Sequence, residues 1–284
     1  MNCSKSGCRT VAIAGCAMSA VAVLLMAAGA HAAEPRLFST GSGPLAAESP
    51  LQGSEQILLV LTDGWDAVNG TMQRLERAGA NGPWRIAGAA VAVVVGRTGL
   101  AWGRGLIAPG SGPVKREGDG KAPAGVFRLS TVFGQSKEKP AGWQLPYRSL
   151  DDNVECVDDA RSASYNRLTT RAAVASPDWS SSEKMWQEPL YKWGVVVEHN
   201  APTPQPAGGS CIFLHIWKGP GRGTAGCTAM EESALTFTIG WLTPGRSPLL
   251  VQLPRAEYDR VRSAWGLPLM SGSIERGDGD DDTR

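Results

Sequence analysis

The chain has 284 residues and almost balanced charge, 28 Lys and Arg against 27 Asp and Glu. Residues 1–32 hold two of the basic residues and no acidic one, so the remainder carries 26 against 27, a net of −1. That balance excludes a nucleic-acid binder working through a basic face, and about 250 residues suffice for one β-rich domain or two small ones.

The first segment reads as a secretory signal peptide over residues 1–32. Lys5 and Arg9 precede an apolar run from Val11 to Ala28, and Ala30-His31-Ala32 is a small-x-small cleavage site. A membrane anchor is the rival reading. The run is near the lower limit for a span and no basic cluster follows it. Cleavage near Ala33 would leave a periplasmic or cell-envelope protein without stable membrane insertion. Cys3, Cys8 and Cys16 would be lost, and Cys156, Cys211 and Cys227 would remain where disulfides persist. Three is odd, so one thiol should be left over.

Residues 33–53, rich in Gly, Ser, Pro and Ala, read as a linker before a domain over 54–270. The spacing predicts a strand at 56–61, then a helix over 66–77 with Val68, Met72 and Leu75 on one side. A buried strand follows at 87–95, a turn at Gly96-Arg97-Thr98-Gly99, and a return over 100–106. Residues 113–129 form a loop shaped by turn chemistry that ends in a strand at Gly125 to Leu129. Residues 134–149 are irregular, and 151–166 read as a polar loop holding Cys156. One or two helical turns are expected over 180–187 and a buried strand at 193–198. His199 ends that strand and reads as a surface or turn histidine, in preference to a supporting role near a pocket.

Gly209 to Lys218 alternates, with Cys211, Phe213, His215 and Trp217 on one face. A helix over 231–242, a last strand at 249–253 and a short helix over 257–264 complete the body. The acidic, Gly-rich tail over 271–284 reads as disordered. No regular strand–helix alternation supports a doubly wound sheet. The fold class is mainly β, a single β-rich domain with a few short helices.

The densest chemical signal is Gly209 to Met230, GSCIFLHIWKGPGRGTAGCTAM. A strand delivers His215, a glycine-rich loop follows over Gly219 to Gly223, and Thr224-Ala225-Gly226-Cys227 leads into a helix-like segment. A nucleophilic cysteine needs a base within hydrogen-bond reach and a lowered pKa. A helix starting near Cys227 would favour the thiolate, and the Gly226 and Cys227 N–H groups would bind a developing oxyanion. Spacing alone also fits a satisfied core histidine and a structural half-cystine.

His215 followed by Thr224-x-Gly226-Cys227-Thr228 resembles the catalytic signature of the L,D-transpeptidases of the YkuD type. Trp102-Gly103-Arg104-Gly105, Lys115 to Gly120 and Pro123 to Phe127 are similar to the amino-terminal part of one exported branch. Cys156 to Asp159, Tyr165-Asn166 and Ser182 to Met185 are similar to its middle. The resemblance spans roughly Ala87 to Leu253. It implies a β-rich L,D-transpeptidase-like domain acting on peptidoglycan stem peptides in wall cross-linking or remodelling, with no cofactor and no metal. Cys227 would be the nucleophile, His215 the base and Thr224 the residue shaping the loop, with Thr228 beside it. The same thioacyl-enzyme would serve an L,D-carboxypeptidase.

Two positions depart from the usual pattern. Ala225 stands where many members have His, and Ala229 where many have Arg. Lys218, Arg222 or Arg104 would then take over recognition of a substrate carboxylate, and Trp217, on the His215 face, would wall the pocket. A committed nucleophile cannot be a permanent half-cystine, which favours a Cys156–Cys211 bridge with Cys227 free over a Cys211–Cys227 bridge.

Two other classes fit the sequence less well. A zinc hydrolase using His199, His215 and a cysteine lacks HExxH or CxxC spacing. A non-catalytic envelope-binding module would draw on the ten Trp, which are scattered.

Overall fold

The computed structural model describes residues 49–270. The expected signal peptide, most of the linker and the acidic tail lie outside the described residues. The linker reading fails at its end, where Leu51 sits in a turn and is fully buried.

The strands in chain order are β1 (Gln56–Thr62), β2 (Asn69–Glu76), β3 (Arg85–Ile86), β4 (Val91–Val94), β5 (Leu100–Trp102), β6 (Ala122–Gly134) and β7 (Tyr147–Ser149). They continue as β8 (Val154–Val157), β9 (Leu168–Thr170), β10 (Ser182–Lys184), β11 (Trp193–Val197), β12 (Phe213–Ile216), β13 (Thr228–Met230) and β14 (Leu249–Pro254). Two helices are present among the described residues, α1 (Glu232–Trp241) and α2 (Arg255–Val261).

The main sheet runs β1-β14-β6-β11-β12-β13-β4-β2, and β2 pairs again with β1. The path therefore closes into a barrel-like sheet, which leaves these eight strands no free edge. β1 is parallel to β14 and β12 is parallel to β13, while the other pairings around the ring are antiparallel. All seven residues of β1 and all six of β14 are buried. Continuous apolar strands of this kind need cover on both faces, and α2 supplies it on these two strands. Each fully buried Leu, such as Leu58 or Leu59, contributes about 1.5–3 kcal/mol.

β6 is the long brace of the sheet. It pairs with β14 through Gly125 to Arg128 and with β11 through Leu129 to Gly134. Close packing at β11 requires a glycine, because a Cβ on Gly194 would stand 2.3 Å from Phe133 Cζ and 2.9 Å from the Leu214 carbonyl oxygen. The expected turn at 96–99 is present, closed by Gly99 N–H donating to Gly96 O at 2.8 Å, with Gly99 at φ +86°.

Several expectations are corrected. The helix over 66–77 is instead β2: Met72 and Leu75, three residues apart, point to opposite faces of a strand buried between β1 and β4. The polar loop at 151–166 contains β8, which with β9 and β10 forms a separate three-stranded sheet. Residues 180–187 are β10 followed by a short 3-10 turn. The helix-like segment after Cys227 is β13, and α1 begins only at Glu232, where the Glu231 carboxylate accepts from Ser233 and Ala234 N–H.

Candidate active site

β12 and β13 lie parallel, with Leu214 opposite Thr228 and His215 opposite Ala229. That register brings Cys227, just before β13, against the start of β12: the Phe213 N–H donates to the Cys227 sulfur at 3.3 Å. The thiol in turn lies 3.5 Å from the Cys211 carbonyl oxygen, to which it donates. A cavity of about 490 Å³ opens here, lined by both Cys227 and His215.

His215 is 6 % exposed, and its Nδ1 lies 2.7 Å from the Ile216 carbonyl oxygen. A carbonyl only accepts, so Nδ1 carries the proton and Nε2 is left as the basic nitrogen. Burial lowers the pKa of His215, against the opposing pull of the Ile216 hydrogen bond and Glu188. Burial raises the Cys227 thiol, and Glu183 adds to the effect. The resting pair is therefore a neutral thiol and a neutral imidazole. No helix dipole acts on Cys227, since the segment that follows it is a strand.

The glycine-rich return is pinned by Thr224. Its hydroxyl donates to the Cys227 carbonyl at 2.6 Å and accepts from Gly226 N–H at 3.1 Å. Its backbone is held by Val95 O and Arg97 N–H. The Gly226 N–H expected to face an oxyanion is thus engaged by Thr224 in this structure. Thr228 does not line the cavity; its hydroxyl donates to Gln252 Oε1 at 2.7 Å inside the barrel. Trp217, Lys218 and Arg222 line the cavity, whereas Arg104 does not. Arg104 instead caps His199: its N–H donates to His199 Nδ1 at 3.2 Å, and His199 Nε2–H donates to Gly208 O at 3.0 Å. His199 is 1 % exposed and sits in a turn, so of the surface-or-turn reading the turn holds and the surface is corrected. It fastens two loops together.

Cys156 and Cys211 are bridged, and Cys227 is free. The bridge ties β8 to the chain entering β12, where Cys211 has φ +55° and therefore leaves the alternation expected from Gly209 onward. β10 pairs with β8 so that Glu183 lies directly opposite Cys156. Two cavity residues that the motif did not single out follow from this. Glu183 accepts the Tyr191 hydroxyl at 2.7 Å, and Tyr191, on the turn Pro189–Tyr191, sets its ring edge against His215 and Phe213 at 5.3 and 5.5 Å. The cavity is polarised: Glu117, Asp158, Glu183 and Glu188 supply acidic groups, and Arg97, Lys115, Lys218 and Arg222 basic ones.

No family model matches the chain, and no curated protein matches it. Among solved structures the chain is similar to "Structure of Bdellovibrio bacteriovorus Bd1075", at 14% identity and a TM-score of 0.34 over 74% of this chain. The similarity covers 54% of that chain, so this protein spans about half its length.

Proposed function

We propose that the protein is a YkuD-type L,D-transpeptidase that acts on peptidoglycan stem peptides through a thioacyl-enzyme. The observation that carries the reading is a free thiol and a tautomer-fixed imidazole lining one cavity, delivered by adjacent parallel strands. A cavity with both acidic and basic groups suits a peptide bearing an amine and carboxylates, as a stem peptide with a diamino acid does.

The chemistry runs as general-base nucleophilic catalysis. As the Cys227 sulfur attacks the carbonyl after the third residue of a donor tetrapeptide, its proton passes to His215 Nε2. The tetrahedral intermediate collapses, and His215 returns the proton to the departing D-alanine amine. An acceptor amine then attacks the thioester, His215 takes its proton, and the sulfur leaves. Neutral resting groups suit this scheme, because the proton moves only when an electrophile is present.

The test is incubation of the native protein and Cys227→Ala with disaccharide-tetrapeptide, products identified by mass. A cross-linked product and a thioester on Cys227 are expected, both lost in the variant. Loss of D-alanine without cross-linking would assign water as the acceptor. No product and no adduct would overturn the enzyme reading.

A further inference from the structure

We propose that Glu117 determines specificity in this cavity: its carboxylate, fixed by Tyr165 and Ser210, holds the side-chain ammonium of the diamino acid at the third position of the donor peptide. The proposal rests on the reading that the cavity receives stem peptides. It adds which group selects them, and through which oxygen.

The carboxylate is held by residues from two other parts of the chain. The Tyr165 hydroxyl donates to Glu117 Oε2, and the Ser210 hydroxyl donates to the same oxygen at 2.8 Å. Both of those residues are buried. The Glu117 backbone is tied down as well, its N–H donating to Ala207 O at 2.9 Å. Glu117 itself is exposed and lines the cavity that Cys227 and His215 also line. An ionised carboxylate only accepts. Oε2 is taken by two hydroxyls, while Oε1 has no hydrogen-bond partner among the described residues and is left for a donor in the cavity.

Charge decides which donor. Asp158, Glu183 and Glu188 line the same cavity, and among the described residues none of these four carboxylates is in an ion pair. Asp158 and Glu183 come from the end of β8 and from β10, and Glu117 is tied to Tyr165 in the loop after β8. The basic lining groups Arg97, Lys218 and Arg222 come from elsewhere. Arg97 N–H donates to Thr224 O at 2.8 Å, which joins the turn at 96–99 to the glycine-rich return. A ligand with an ammonium and a carboxylate is matched by such a separation. Of the four carboxylates Glu117 is the exposed one; the others are half-buried and already accept from Ser181, Tyr191 and the Leu190 N–H. A carboxylate that holds an ammonium keeps that nitrogen protonated and unable to attack a thioester. Glu117 therefore suits the spectator amine of the donor.

The test is peptide binding to Cys227→Ala, which keeps the cavity and stops turnover, measured by calorimetry. Two tetrapeptides are compared, one with diaminopimelate at the third position and one with α-aminopimelate, which lacks only the distal amine. The first should bind about tenfold tighter, the effect of a charge-assisted hydrogen bond discounted for an exposed carboxylate. Adding Glu117→Gln should erase that preference and leave the α-aminopimelate peptide bound as before, because the amide oxygen still accepts from Tyr165 and Ser210. Equal binding of the two peptides to Cys227→Ala, or binding of neither, would overturn the proposal. So would a preference that survives Glu117→Gln, or a loss that Glu117→Gln inflicts on both peptides alike, which a merely structural carboxylate would give. The enzyme reading is judged apart from this, by the thioester on Cys227 of the native protein. A thioester without the amine preference would overturn the role of Glu117 alone.

Discussion

His215 and Cys227 are both almost fully buried, and burial makes each prefer its uncharged form. In the proposed reaction one proton would move between them, in place of a standing ion pair. His215→Gln keeps a donor near the Ile216 carbonyl but removes the base. Thioester formation with tetrapeptide should slow by about 10²–10⁴-fold while the fold is retained; an unchanged rate would exclude His215 as the base. Thr224→Val removes the hydroxyl that joins Cys227 O and Gly226 N–H. It should cost about 1–3 kcal/mol in urea unfolding and slow acylation as well, because the loop presenting the sulfur loses its tie. That His215, Thr224, Gly226 and Cys227 line one cavity was legible in the sequence, because they fall in one short stretch of chemically distinctive residues. Glu183 and Tyr191 were not. Neither residue type announces a role by itself, and their place in the cavity is set by strand pairing and a disulfide between distant segments.

The three-stranded sheet β10-β8-β9 explains how those segments are held. Glu155 on β8 is buried, and burial opposes its ionisation. Hydrogen bonds from Lys184, Ser182 and Trp179 nevertheless hold its carboxyl down at about 2. Lys184 approaches at 2.8 Å and Arg171 at 3.4 Å. Such a carboxylate looks like part of a polar loop in the sequence, because Val154-Glu155-Cys156-Val157 is too short to show a period. The same limit produced the error at β2, where Met72 and Leu75 fit a helix stripe equally well, and neighbours rather than propensity chose the strand. The bridge Cys156–Cys211 spans 55 residues and fastens this sheet to the entry of β12. Replacing both cysteines by serine should lower stability by about 2–4 kcal/mol, measured by urea midpoint. An unchanged midpoint would show that the sheet stays seated without its staple.

At the scale of the whole molecule, buried groups pull the pH dependence of stability in opposite directions, His199 and His215 one way and Glu183 the other. Burial lowers His199 from its ordinary 6.5 to about 4. As pH falls through 6.5 the unfolded chain takes up a proton that the native state resists, so this group removes stability down to about pH 4. Burial raises Glu183 from 4.5 to about 7. As pH falls from 7, the native state takes up a proton before the unfolded chain does, so this group adds stability down to about pH 4.5. Burial lowers His215 as well, so it acts in the same direction as His199. Between 4.5 and 6.5 two histidines therefore oppose one carboxyl, and the native protein should lose stability as pH falls. Below 4.5 the depressed carboxyl of Glu155 removes stability without opposition, because the unfolded chain now binds the extra proton. Single variants separate the two terms. His199→Gln, able to keep a donor and an acceptor between Arg104 N–H and Gly208 O, should lose less stability than the native protein as pH falls from 7 to 4.5. Glu183→Gln should grow less stable over the same range, and should gain on the native protein above pH 7, where an ionised Glu183 is costly. Urea midpoints at pH 8, 6.5, 5.5 and 4.5 decide the matter. Parallel curves for the three proteins would mean that neither group changes its protonation on folding.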